Sequence, residues 1–263
     1  MAVTGRNDPR QYDDLAGEWW RPGGQFAALH WLSAARARLV PTAARPDAVL
    51  VDVACGGGLM VAHTRGYLHV GVDLVASAAA VAAAHGVKAV RGRAESLPVA
   101  DEVADVVVVG EVLEHVADLD AVVAEAARVL RPGGTLVCDT LNDTWRCRVA
   151  MVAVGERVPG GPPRGIHDPA LFVRPERLRA SFAAHGVELR LWGLRPSVRD
   201  YLAFLVDRAR PVRMLPTRSL ATVYQGVGTK RRVHPAGGRD RPVSSGIRGP
   251  ADPAAGDGEG HRS

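Results

Sequence analysis

A β-branched run that feeds straight into three glycines, Val49-Leu50-Val51-Asp52-Val53-Ala54-Cys55-Gly56-Gly57-Gly58, constrains this chain more than any other stretch. The apolar segment after it has helical character, so the pattern reads strand, tight turn, helix start. Glycines in such a turn let the backbone pass close to a ligand that side chains would exclude. A second short strand, His69-Val70-Gly71-Val72-Asp73, ends in a carboxylate. An acid at that position of a βαβ unit accepts hydrogen bonds from the ribose hydroxyls of a nucleoside.

The βα alternation continues to about residue 142. Strands are expected at 48–54, 68–73, 88–91, 104–110 and 134–140, with helices at 59–65, 76–85 and 119–130, the last stopped by Arg131-Pro132-Gly133-Gly134. Helix 175–185, strand 187–193 and a closing strand at 221–229 follow. Alternation of this kind demands a mostly parallel sheet covered on both faces, which makes the expected fold α/β and Rossmann-like with seven strands. Residues 1–41 read as a helical lead-in covering the ligand, and 42–230 as the main domain. Insertions are expected at about 143–165 and 195–216, and the apolar-poor 231–263 reads as a disordered tail.

At 263 residues and 47% hydrophobic the chain supports one such domain with additions. No apolar run reaches the roughly 18 residues a spanning helix needs, and no signal pattern opens the sequence. Cys55, Cys138 and Cys147 are scattered, which fits free thiols in a reducing cytoplasm better than a disulfide framework. Much of the net charge of +5 lies in the tail, from Lys230 to Arg262, so the basic balance gives no argument for nucleic acid.

Polar groups collect where strands end. Arg91-Gly92-Arg93-Ala94-Glu95-Ser96 follows the third strand, and Gly110-Glu111-Val112-Leu113-Glu114-His115 follows the fourth. Glu111, Glu114 and His115 at i, i+3 and i+4 share one face of a helical turn. Such a set can bind a divalent cation, can position an acceptor hydroxyl and take its proton, or can simply cap the loop. A dinucleotide-dependent oxidoreductase is disfavoured, because the turn is Ala-Cys-Gly-Gly-Gly rather than Gly-x-Gly-x-x-Gly. A nucleic-acid enzyme is disfavoured because basic residues outside the tail are not interleaved with aromatics.

Taken in order, Asp52–Gly58, Gly71-Val72-Asp73, Ala94-Glu95, Glu111–Val116 and Leu130–Gly134 resemble a class I S-adenosylmethionine-dependent methyltransferase. More narrowly, Tyr12-Asp13-Asp14-Leu15-Ala16-Gly17-Glu18-Trp19-Trp20 and Gly165-Ile166-His167-Asp168-Pro169…Phe172-Val173-Arg174-Pro175-Glu176 resemble the ubiquinone-biosynthesis 3-O-methyltransferases. The resemblance implies S-adenosylmethionine as cofactor and methylation of a hydroxylated aromatic, such as a polyprenylated phenol or catechol quinone precursor. Another small aromatic acceptor, or an inactive cofactor-binding partner in a complex, stays open. It places Arg36, Asp52, Ala54, Gly56, Asp73, Ala94, Glu95 and Gly110 at the cofactor. Glu111, Glu114 and His115 match a magnesium-binding set, and His115 or His167 is the alternative direct base. Two departures stand out: Ala54 where the family has glycine, and Gly110 where a bulkier residue is usual, which is expected to loosen the pocket. The apolar and arginine residues of 143–165 suggest a lid over the pocket or a peripheral contact with an anionic membrane surface.

Overall fold

The computed structural model describes residues 6–232, so residues 233–263 of the expected tail lie outside the described residues. One eight-stranded sheet runs through the molecule. Its strands are β1 (Val49–Val53), β2 (Leu68–Asp73), β3 (Lys88–Arg91), β4 (Ala104–Gly110), β5 (Leu130–Leu141), β6 (Val187–Pro196), β7 (Met214–Thr217) and β8 (Val223–Lys230), in the spatial order β3-β2-β1-β4-β5-β8-β6-β7. The first five in that order are parallel, and β8 pairs antiparallel with both β5 and β6.

The seven-strand expectation therefore becomes eight. The additional strand, β7, lies in the 195–216 insertion and pairs antiparallel with the end of β6. It is four residues long with Pro216 inside, so it shows no alternation and no β-branched run to read. Its proline sits on an edge strand, where a missing backbone donor is tolerated. The rest of that insertion forms a helix, Val198–Val206, capped by the Ser197 hydroxyl accepting from Asp200 N.

All seven residues of β4 are buried, as its apolar composition requires of a strand flanked on both sides. Arg131–Gly134 bulges out of β5: Ala104 pairs with Leu130, but Val106 pairs with Thr135. The helices are α1 (Arg10–Asp14), α2 (Ala27–Ala37), α3 (Ala76–Ala84), α4 (Leu119–Val129), α5 (Trp145–Cys147), α6 (Pro175–Ala184) and α7 (Val198–Val206). The expected helix 59–65 is only a 3-10 turn, Leu59–Ala62, entered from Gly58 at φ 77°. Past α5 the chain winds through a π-helical stretch, Arg148–Val154.

Order reverses between β1 and β4: from β1 the chain continues outward through β2 and β3, then returns to the other side of β1. Ligand crevices of open α/β sheets form at this switch point, beyond the carboxyl ends of the strands. Register brings the ends together, with Val53 opposite Val109, Asp73 opposite Arg91 and Gly110 opposite Asp139.

Candidate active site

Beyond those strand ends lies a cavity of about 460 Å³, within the size range of small-molecule sites. Arg36, Asp52, Ala54, Gly56, Asp73, Ala94, Glu95, Gly110, Glu111, His115 and His167 all line it. One pocket thus gathers residues from positions 36 to 167.

The glycine turn is shaped by both its own torsions and its neighbours. Ala54 sits at φ 55° and Gly56 at φ 52°, both left-handed. A methyl group tolerates that region at a cost of roughly 1–2 kcal/mol, which glycine avoids. Trp19 lies across the turn: a side chain at Gly56 or Gly57 would collide with its ring. Trp19 in turn stacks on Phe26 at 4.2 Å between centroids. Trp20 also holds the turn, donating Nε1 to Gly57 O at 2.8 Å and stacking on His85 at 4.0 Å. The paired tryptophans therefore clamp the turn, a role the sequence alone does not display.

Asp73 accepts from Gly56 N and from Val75 N, each at 2.8 Å. It ties the glycine turn to the end of β2, and burial raises its pKa. Arg36 descends from α2 into the strand ends and pairs with Asp139 of β5, with Nε 2.9 Å from Oδ2 and both side chains buried. Its guanidinium fills the space that a side chain at position 110 would take. The expectation of a loosened pocket at Gly110 is thereby corrected, because the missing side chain is replaced by Arg36.

Glu111–His115 forms a turn rather than the expected helical face. Glu111 adopts φ 52°, its N–H donating to Asp139 Oδ1 at 3.0 Å, and His115 N closes the turn onto Val112 O. Thr140 donates to Glu114 Oε2 at 2.7 Å. Glu111 Oε1, Glu114 Oε1 and His167 Nδ1 are buried with no hydrogen-bond partner among the described residues. Burial pushes the Glu114 carboxyl up to about 7. Glu111 is raised as well, by burial first and then by the charges of Glu114 and Asp139. Asp52, equally buried, is pushed up to about 7. The two imidazoles move the other way. Burial lowers His115 to about 4, and burial with the charges of His115 and Arg6 lowers His167 to about 3.

Donor atoms of Glu114, His115 and His167 lie within 4.8 Å of one another. His167, from the segment after the 143–165 insertion, thus joins Glu114 and His115 in a tighter group than the sequence-adjacent set with Glu111. Its ring stacks on His115 at 5.2 Å and 22°. Asn7 was not visible as a site residue in the sequence, yet it contacts His115 twice, through the ring Nδ1 at 2.7 Å and the backbone oxygen at 2.9 Å.

Residues 51–138 match the methyltransferase domain family model. The fold is shared with a Thermotoga maritima SAM-dependent methyltransferase described as a possible histamine N-methyltransferase, at TM-score 0.58 and 18% identity over 84% of this chain and 97% of that one. YcgJ of Bacillus subtilis aligns at TM-score 0.54 and 18% identity, over 78% and 99%. Sheet order, glycine turn and the acid ending β2 define a class I S-adenosylmethionine-dependent methyltransferase. Ubiquinone biosynthesis O-methyltransferases are more similar in sequence. That of Rhizobium etli is 33% identical over 205 residues, 70% of this chain and 83% of the relative, and that of Agrobacterium fabrum 34% over 212 residues, 72% and 84%. The chain belongs to the ubiquinone biosynthesis O-methyltransferase family and is an S-adenosylmethionine-dependent O-methyltransferase.

Proposed function

We propose that the chain transfers a methyl group to a phenolic hydroxyl of a polyprenylated phenol or catechol on the way to a quinone. The observation that carries this reading is the cluster of Glu111, Glu114, His115 and His167: Glu111, His115 and His167 line the same cavity as the glycine turn, and the buried Glu114 carboxylate lies within 4.8 Å of donor atoms of both imidazoles. S-adenosylmethionine supplies an electrophilic methyl on a sulfonium. Arg36, Asp52, Ala54, Gly56 and Gly110 line its side of the cavity, Asp73 the ribose and Ala94-Glu95 the adenine edge.

What the protein must add is alignment of the oxygen and removal of its proton. Alignment alone is worth roughly 7–11 kcal/mol. A phenol of pKa about 10 is almost entirely protonated at neutral pH. Imidazoles lowered to about 4 and about 3 are poor final acceptors for that proton, whereas Glu114, pushed up to about 7 by burial beside the likewise raised Glu111, is a better one. His115 and His167, neutral at pH 7, then orient the hydroxyl and the carboxylates receive the proton.

The cluster also suits a divalent cation. Two neighbouring carboxylates are buried, each with an unpartnered oxygen, beside two neutral imidazoles, which is a hard-to-borderline donor set with charge to neutralise. Glu114, His115 and His167 would hold it with Glu111 adjacent, and it would supply Lewis acidity that lowers the phenol's pKa.

The 143–165 segment has two faces. Met151, Pro162 and Pro163 line the cavity, which fits a cover. Trp145 at 71%, Val149 at 47% and Val154 at 50% exposure point outward among Arg146, Arg148 and Arg157, which fits peripheral contact with an anionic bilayer. No helix among the described residues is long and apolar enough to cross a membrane.

The test is calorimetric titration with S-adenosylhomocysteine, then turnover of a short-chain prenyl catechol with and without EDTA. Binding with turnover supports the reading, and loss of rate in EDTA supports the cation. Binding without methylation of any phenolic acceptor refutes the acceptor class. Co-sedimentation with anionic vesicles, before and after deletion of 146–160, tests the outer face, and equal pelleting counts against membrane contact.

A further inference from the structure

We infer that Asn7 is a positioning residue that fixes the tautomer of His115, holding its proton on Nδ1 and leaving Nε2 as the ring's lone-pair nitrogen. The inference rests on the proposed role of His115 as an orienting or ligating group in the cluster.

The argument is one of donor and acceptor arithmetic. Asn7 Nδ2 lies 2.9 Å from the His115 backbone oxygen, and a carbonyl oxygen can only accept, so that end of the amide is the donating NH2. The other end, Oδ1, lies 2.7 Å from His115 Nδ1 and can only accept. Nδ1 must therefore carry the proton. In the neutral ring the two nitrogens share one proton, so a proton on Nδ1 means a bare lone pair on Nε2. A histidine in such a role needs this lone pair, whether toward a hydroxyl proton or toward a cation, and the partner on the opposite nitrogen is what secures it.

Asn7 is itself held rather than loosely placed. It takes φ 59°, a torsion asparagine tolerates better than most residues, and its N–H donates to Gly165 O at 3.0 Å. Next to it, Arg6 donates to His167 O at 2.8 Å and pairs with the nearly buried Glu156 carboxylate at 2.9 Å. Glu156 in turn accepts from Gly165 N at 3.0 Å. Consecutive residues of the N-terminal lead-in thus engage both stacked histidines, one through its ring and one through its backbone. The lead-in spans the cavity on the way, with Pro9, Tyr12 and Trp19 on its wall. A segment that covers the cavity therefore also completes the cluster beneath it, and the tautomer of His115 is set when the cover is in place.

The experiment reads the tautomer directly. Full-length protein labelled with 15N-histidine is observed by long-range 1H–15N correlation at neutral pH, without acceptor substrate, for the native chain and for Asn7→Ala and Asn7→Asp. The native His115 is expected as the Nδ1–H form. Asn7→Ala removes the only acceptor that the described residues give to Nδ1 and should release the ring to the Nε2–H form that free histidine prefers, with kcat on a short-chain prenyl catechol falling about 10- to 100-fold and KM for the cofactor unchanged. Asn7→Asp keeps an acceptor oxygen and should keep the Nδ1–H signature and more of the rate. A native His115 in the Nε2–H form, or an unchanged Nδ1–H form in Asn7→Ala, overturns the inference. If the chain methylates no phenol at all, the proposed acceptor class fails while the spectra still decide the tautomer.

Discussion

The guanidinium of Arg36 occupies the space above Gly110, so a side chain at position 110 and the present course of Arg36 exclude one another. Arg36 meets Asp139 only by taking that path, and Asp139 in turn receives the Glu111 N–H. A helix outside the sheet, the end of β4 and the end of β5 are thereby joined through one buried ion pair. Gly110→Val is expected to evict Arg36 and leave Asp139 buried without its partner, a loss of about 3–5 kcal/mol by analogy with other broken buried pairs. Thermal unfolding checks the stability. Calorimetry with S-adenosylhomocysteine checks affinity, which should fall together with it because Arg36 also lines the cavity. Native stability in that variant would show that Arg36 has another path.

Ala54 offers the opposite sign. At φ 55° its methyl group sits in the left-handed region, so Ala54→Gly should relieve strain of roughly 1 kcal/mol, less the backbone entropy that glycine adds to the unfolded chain. A rise in Tm of about 2–4 °C per kcal/mol gained is the expected scale for a domain of this size. Cofactor affinity should hold or improve, as read by the same titration. A fall in Tm would mean that the torsion is set by neighbours and carries no strain of its own.

How much of this was legible beforehand depends on range along the chain. β1 and β4 announce themselves because a buried parallel strand must be mainly apolar: Val106–Val109 is so throughout, and Val49–Val53 is broken only by Asp52. β7 does not, since four residues around a proline at a sheet edge carry no period. The cavity lining was foreseen where the resemblance supplied it, from Arg36 to His167. Its internal logic was not, because that logic lies in contacts between distant residues. Nothing local in the sequence tells that Arg36 fills the place of a side chain at Gly110, that Trp19 and Trp20 clamp the glycine turn, or that Asn7 grips His115 from 108 positions away. Helical spacing suggested one face for Glu111, Glu114 and His115, but the left-handed torsion at Glu111 breaks the helix and lets His167 enter the group.

Glu114 makes stability depend on pH in a direction that can be worked out. Its carboxyl is raised by burial from 4.5 to about 7, so the folded state binds its proton more tightly than the unfolded state does. The stability this contributes is present in full below about 4.5 and is lost as pH rises through about 7. His115 and His167, both lowered, act in reverse and cost stability as pH falls below the ordinary histidine value of 6.5, but they are common to both proteins in a comparison. Glu114→Gln keeps an oxygen for the Thr140 hydroxyl and removes the ionisation. In EDTA, the Tm of the variant relative to the native chain should therefore climb between about pH 5 and about pH 8. A difference that stays flat across that range would show that Glu114 ionises freely.

Glu111→Ala separates chemistry from cofactor binding. Glu111 Oε1 is unpartnered, and although the side chain also meets the Asp139 carboxyl, the backbone N–H contact to Asp139 Oδ1 survives truncation. The Arg36–Asp139 ion pair does not involve Glu111, so affinity for S-adenosylhomocysteine should stay close to native. Turnover should fall by about 10²–10⁴-fold, the range for loss of a group that moves a proton in the rate-determining step. Full activity in Glu111→Ala would remove this carboxylate from the mechanism and leave Glu114 as the proton acceptor, whereas a parallel collapse of cofactor affinity would show that the two halves of the cavity are not separable at this residue.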